Sequence, residues 1–186
     1  MIESIFPTPM YAAKVDNFSN IQKDIGDTLD TLEFSYIEHW GKTHLLAPNS
    51  FNENIIPDSL NKELERHVNQ YLYEIGKPAM LYDIVSWFTK CEKGNYAHVH
   101  NHGAADLSGV YYYQTNGKDG NIYFHTPNPF LDTTFLFSHM GTDFEHEPME
   151  GKLIIFPGWL LHGVRQNSTD NTRISLSFNI TFKNAV

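Results

Sequence analysis

A single cysteine, Cys91, stands in the whole chain of 186 residues, so no intrachain disulfide can form, and the sequence suits a reducing compartment. Its ordinary reading is a small buried hydrophobe rather than a nucleophile. Positive charge is scarce as well: 13 Lys and Arg against 22 Asp and Glu give a net charge of -9, with no basic cluster to follow a phosphate backbone. Nucleic acid is therefore a disfavoured partner. Long apolar runs are missing too. The longest, Leu153 to Leu161, is broken by Pro157 and Gly158 and is too short for a bilayer. The opening Met1-Ile2-Glu3-Ser4-Ile5-Phe6-Pro7 has neither a basic stretch nor a continuous apolar one, so it does not read as a secretory signal, and a cytoplasmic protein is expected.

What is present is a core. The composition is 41% apolar and 19% charged, with 13 Phe and 10 Tyr, which is that of a folded globular chain. The length supports one domain, 1–186, and falls short of two ordinary ones.

The order of elements is helical first and β afterwards. Ser19 can cap a helix to about Leu32, along which Ile21, Ile25, Leu29 and Leu32 recur at helical spacing. Asp58 or Ser59 can cap a second, with Leu60, Leu64, Val68, Tyr71, Leu72 and Ile75 on one face and Gly76 and Pro78 ending it. Thr43 to Pro57 reads as loop. Beyond Pro78, strands are expected over Leu81–Thr89, Leu107–Gln114, Asn121–His125, Lys152–Phe156 and Arg173–Phe182. Strands in series without helices between them argue for an antiparallel sandwich or barrel in 79–186, with a helical portion, 1–78, packed outside it. In the last strand Ile174, Leu176, Phe178 and Ile180 alternate with Arg173, Ser175, Ser177 and Asn179. The polar set must face either solvent or an internal cavity.

Three of the ten histidines fall in His98-Val99-His100-Asn101-His102. On a strand, residues two apart are ~6.6 Å apart, so two imidazoles can converge on one ion, whereas the ~13 Å between His98 and His102 needs a bend. At most two of the three are expected to ligate. Neutral imidazole suits Fe, Zn, Ni and Cu. A third ligand is expected at His162, where the continuous apolar strand Leu153-Ile154-Ile155-Phe156 runs into the turn Pro157-Gly158.

Taken together these residues resemble the 2-oxoglutarate/Fe(II) oxygenase superfamily, and within it a family of small oxygenases. The likeness is carried by His98-x-His100, Ser108-Gly109-Val110-Tyr111-Tyr112, Gly151 through Phe156-Pro157-x-Trp159-x-x-His162-x-Val164, and Arg173-Ile174-Ser175-x-Ser177-Phe178-Asn179. The resemblance implies a double-stranded β-helix, a jelly roll of cupin-like form. It assigns Fe(II) to His98, His100 and His162, the distal carboxylate of 2-oxoglutarate to Arg173, and a second anchor to Ser175. Tyr112, Tyr113 and Tyr96 could face the cavity and hydrogen-bond the cosubstrate, with core packing as the alternative. The run Asn167 to Asn171 would fold the strands of His162 and Arg173 into a hairpin, with His162 across from about Ser175 or Ser177. One departure is that most of the superfamily has a carboxylate at the second place where this chain has His; Asp106 is the alternative donor.

The activity so implied is a dioxygenase that couples decarboxylation of 2-oxoglutarate to hydroxylation of a small-molecule or protein substrate. Two rivals remain: a cupin-type three-histidine metalloenzyme that does not use 2-oxoglutarate and has no need of Arg173, and a non-catalytic β-sandwich binding protein. Residues 127–148 are long for a connection and are expected to act as a lid. The sequence leaves the substrate and any homo-oligomer open.

Overall fold

The computed structural model describes residues 6–38, 43–47, 55–128, 130–131 and 143–183. In chain order the elements are β1 (Tyr11–Lys14), α1 (Phe18–Leu29), β2 (Ser35–Tyr36), β3 (Leu45–Leu46), α2 (Asp58–Glu74), β4 (Tyr82–Cys91), β5 (Ala97–His100), β6 (Leu107–Gln114), β7 (Ile122–His125), β8 (Asp143–His146), β9 (Lys152–Pro157), β10 (His162–Val164) and β11 (Arg173–Phe182). Among the described residues no helix is long and apolar enough to cross a membrane.

Both helices form where the spacing predicts them. In α1 the buried residues are Ile21 and Ile25, and in α2 they are Leu60, Leu64, His67, Val68, Tyr71 and Leu72. Gly76, with φ of 71°, ends α2 in a left-handed turn. The Lys77 amide bonds to the Leu72 carbonyl at 2.8 Å and the Gly76 amide to that of Tyr73 at 3.0 Å, the pairing that satisfies the last carbonyls of a helix. Helix α1 stops at Leu29 rather than Leu32, because the amides of Thr31 and Leu32 bond three residues back, to Thr28 and Leu29. Leu32 still packs against the core, which is what gave it a helical phase in the sequence.

The strands form two antiparallel sheets. The larger runs β1-β9-β6-β11-β4-β3-β2 and the smaller β5-β10-β7-β8. Three strands of the larger sheet come from the portion expected to be helices and loop: β1, β2 and β3. Leu45–Leu46 extends the sheet by pairing with Lys90 and Thr89, and Tyr11–Lys14 pairs with Lys152–Ile155. At two to four residues these strands are too short to show a period.

The alternation along β11 divides the molecule. Ile174, Leu176, Phe178 and Ile180 join Ile21, Ile25, Leu60, Leu64, Val68 and Phe88 in one cluster, so this face of the larger sheet packs on the helices. The opposite face meets the smaller sheet through Val110, Tyr112, Ile154 and Phe156 against Ile122 and Phe124. Strand β9 is buried on both faces, as its unbroken apolar run requires. Gly109 allows the close approach on the helix side: a side chain there would collide with the Phe178 ring and the Ile154 carbonyl.

The expected hairpin between His162 and Arg173 does not form. β10 pairs with β5 and β7 in the smaller sheet, while β11 pairs with β4 and β6 in the larger, so residues 165–172 cross from one sheet to the other. Buried Asn167 holds the crossing: its amide N–H groups donate to the carbonyls of Cys91 (3.0 Å) and Asn171 (2.7 Å), and its carbonyl oxygen accepts from the Thr169 amide (2.9 Å). His162 and Arg173 consequently face each other from opposite walls of the sandwich.

Candidate metal and cosubstrate site

A cavity of about 500 Å³ opens between the sheets, and His100, His102, His162, Arg173, Ser175 and Tyr112 are all in its walls. The polar face of β11 therefore lines an interior, the second of the two placements its alternation allowed.

His100, His102 and His162 form a group whose candidate ligand nitrogens lie within 4.8 Å of one another. Register builds this group. His162 sits opposite His100 in the β10–β5 ladder, and the ladder is irregular between His162 and Val164. The ring centroids are 4.4 Å apart for His100 and His162, 5.1 Å for His100 and His102, and 5.2 Å for His102 and His162. Strand β5 ends at His100, and beyond it the His102 amide bonds to the Gly158 carbonyl at 2.8 Å, which ties His102 down beside the site.

His98, expected as a ligand, stands outside this group. It lies in the cavity wall with its ring edge-on to Tyr96 at 4.9 Å and its Nε2 at 3.4 Å from the Tyr96 hydroxyl. The third member of the group is His102, where the sequence points to His98. The spacing serves His98-x-His100 and His100-x-His102 equally, so spacing alone does not separate them. The turn residue Gly103 directly after His102 was the available signal, because site residues gather where strands end. Asp106 is not in the group either; its carboxylate accepts from the Phe182 amide at 2.7 Å and ties off the strand end.

Two of the three rings, His100 and His162, present their outer nitrogens in the same way. Nδ1 of His100 is 2.7 Å from the His98 carbonyl, and Nδ1 of His162 is 2.8 Å from the Leu160 carbonyl. A carbonyl only accepts, so each Nδ1 carries a proton, and in the neutral form of either ring Nε2 is the nitrogen that keeps its lone pair. Nδ1 of His102 is 3.2 Å from the side-chain amide nitrogen of Asn179, whose oxygen accepts from Ser108 Oγ at 2.7 Å. Burial, with a smaller contribution from His100, lowers the pKa of His162 to about 3 and of His102 to about 4. Both are neutral near pH 7, the form that ligates. The donor set thus fits a divalent ion that accepts nitrogen ligands.

The opposite wall has the features of an anion site. Arg173 is 5% exposed, and its Nη1 donates to the carbonyls of Asp119 (3.0 Å) and Gly120 (2.5 Å). Its Nε is buried without a hydrogen-bond partner, and Arg173 makes no ion pair among the described residues. A buried guanidinium held by carbonyls alone has its charge uncompensated and a donor to spare, which is what an incoming carboxylate satisfies. Ser175 Oγ is 2.8 Å from Thr89 Oγ1, and buried Tyr112 has its phenol pushed up to about 12 by desolvation. Cys91 lies in the same wall with its thiol raised by burial, as suits a packing residue.

The segment expected to act as a lid falls mainly outside the described residues. Of it, Asp143–His146 forms β8, the edge of the smaller sheet, and Phe144 is exposed.

Comparison with solved structures places this architecture. A prolyl-4-hydroxylase from Pseudomonas putida matches with a TM-score of 0.63 at 14% identity, covering 95% of this chain and 94% of that one. HygX from Streptomyces hygroscopicus, solved with nickel, 2-oxoglutarate and hygromycin B, matches at 0.62 and 12% over 94% and 83%. The α-ketoglutarate-dependent epimerase SnoN from nogalamycin biosynthesis matches at 0.67 and 10% over 94% and 78%. At these identities the likeness is one of fold, the double-stranded β-helix. No curated protein matches the chain. The model of the family described as "Putative 2OG-Fe(II) oxygenase" matches residues 85–179, from β4 through the histidines to Asn179 on β11, and the chain belongs to that family.

Proposed function

We propose that this protein is a dioxygenase in which His100, His102 and His162 hold Fe(II), Arg173 binds the distal carboxylate of 2-oxoglutarate, and a substrate C–H bond is hydroxylated. The observation that carries this reading is the pairing across one cavity of three convergent imidazoles with a buried guanidinium whose Nε lacks a partner. A three-histidine metalloenzyme with no use for 2-oxoglutarate leaves that guanidinium unexplained.

Iron and 2-oxoglutarate supply, when bound, the chemistry itself: the oxo acid is decarboxylated to succinate while O2 provides the atom inserted into the substrate. The chain supplies position and shelter. Arg173 is pre-oriented by its two carbonyl bonds, so ordering it costs little when a carboxylate arrives. Tyr112 and Ser175 flank it, both buried, and keep water from that end. His102 and His162 need lose no proton to ligate near neutrality.

The substrate side is formed by Thr43, His44, Trp87, Tyr96, His98 and Asn101. No Asp, Glu or Lys is in the cavity wall among the described residues, although the chain as a whole carries a net charge of -9. That wall favours a neutral or anionic substrate with hydrogen-bonding groups and disfavours a cationic amine.

The test is succinate release from 2-oxoglutarate in the presence of Fe(II) and O2, screened over neutral, anionic and cationic compounds. Turnover that depends on Fe(II) and vanishes in His162→Ala supports the reading. Release with an unchanged rate in that variant contradicts it.

A further inference from the structure

Two of the three histidines have their protonated nitrogen fixed by a main-chain carbonyl, whereas His102 has only the amide of Asn179 beside its Nδ1, at 3.2 Å. An amide can present either end. Its oxygen and nitrogen have nearly the same shape, so neighbours decide which faces where. In the orientation recorded, the NH2 group faces His102 and the oxygen accepts from Ser108 Oγ; Nδ1 is then the acceptor and Nε2 of the neutral ring carries the proton, leaving no lone pair for an ion. With the amide turned over, the oxygen faces His102, Nδ1 donates and Nε2 is free, as in His100 and His162. Ser108 Oγ, 2.7 Å from the other end of the amide, can accept from NH2 as readily as donate to oxygen. Ser108 is 1% exposed and pairs directly with Asn179 across the β6–β11 ladder, so its hydroxyl is fixed in place.

We infer that Asn179 is a positioning residue for the metal centre with its amide turned over from the recorded orientation, its side-chain oxygen accepting from Nδ1–H of His102 and its NH2 donating to Ser108 Oγ. This inference rests on the proposed reading of the three histidines as metal ligands. Asn179 touches neither ion nor cosubstrate and acts through His102. It also explains why an amide lies in line with Arg173, Ser175 and Ser177 on the cavity side of β11: it does for His102 what the carbonyls of His98 and Leu160 do for the other two rings. A carboxylate at 179 could accept from both neighbours at once, from the Ser108 hydroxyl and from the ring N–H, so the relay has a distinctive chemical signature.

The experiment is Co(II) binding to the full chain, read by visible absorption and by competition with a chelator, in wild type, Asn179→Ala and Asn179→Asp. Loss of such a partner is expected to weaken metal affinity about 10- to 100-fold in Asn179→Ala. Asn179→Asp is expected to bind Co(II) as tightly as wild type or more tightly. Wild-type affinity in Asn179→Ala, or an equal weakening in both variants, overturns the inference. If Asn179→Ala does not fold, Asn179→Asp decides alone, since a tenfold weakening there means that Nδ1 accepts from the amide rather than donating to it. Failure of the wild type itself to bind Co(II) overturns the ligand reading beneath, a result distinct from either pattern in the variants.

Discussion

His162 of β10 stands opposite His100 of β5 with ring centroids 4.4 Å apart, joining two segments of chain separated by about sixty residues. That register selects the proposed metal ligands, because the histidine grouped with both rings is His102 and not His98. His102→Ala and His162→Ala are each expected to abolish tight binding of a divalent ion. His98→Ala should change the affinity less than about 3-fold, since its ring meets only Tyr96 among the bonds described. Chelator competition on the three variants distinguishes the sets; equal loss in His98→Ala would restore His98 as a ligand.

Arg173 offers an unpartnered Nε from a guanidinium already held at Nη1. Arg173→Lys retains the charge but lacks the fork, so it is expected to weaken 2-oxoglutarate binding by about 10-fold or more, from the loss of charge-assisted hydrogen bonds worth ~1.5–3 kcal/mol. Metal affinity should stay as in wild type. Calorimetric titration of 2-oxoglutarate into metal-loaded protein measures it, and an undiminished affinity in the lysine variant would favour a metalloenzyme that does not use the oxo acid.

Burial holds His162 neutral down to a pKa of about 3, against an ordinary value of 6.5 in the unfolded chain. Between those values the unfolded state binds more protons, so stability of the metal-free protein falls as pH drops through 6.5 and levels off only below about 3. At ~pH 5 the loss from His162 alone is about 2 kcal/mol. His102, lowered to about 4, acts in the same direction. Urea midpoints of the metal-free protein at about pH 7.5 and about pH 5 test this; in His162→Gln the drop should shrink.

Gly109 on β6 faces the helix side, where a methyl group would meet the Phe178 ring and the Ile154 carbonyl. Gly109→Ala is expected to destabilise the fold by about 1–3 kcal/mol through overpacking. Metal affinity should be unchanged, because the Phe178 ring packs in the helix-side cluster and is no part of the histidine group. Denaturant unfolding and chelator competition on the same sample separate the two effects.

Long periodic elements were legible and short ones were not. Leu107–Gln114 and Arg173–Phe182 form strands with the bounds read from the sequence, and Asp58–Glu74 differs by one residue at its end. Tyr11–Lys14, Ser35–Tyr36 and Leu45–Leu46 exist because a sheet edge is there to pair with, which no local pattern records. The site was legible as chemistry, since histidines, Arg173, Ser175 and Tyr112 do share a cavity. It was not legible as geometry. Turn residues at Asn167–Asn171 suggested a hairpin, but their polar side chains instead satisfy the backbone of a crossing between sheets. The choice between His98 and His102, and the role of Asn179, depend on contacts 60 or more residues apart along the chain, beyond the reach of spacing.

The central claim is that one cavity holds a divalent iron and the 2-oxo acid together. Anaerobic addition of Fe(II) and then 2-oxoglutarate to the metal-free protein tests it directly. The account predicts a weak visible charge-transfer band that requires both additions, is absent in His102→Ala, and needs higher 2-oxoglutarate in Arg173→Lys. A spectrum that stays flat with both present, or a band that persists unchanged in His102→Ala, would contradict it.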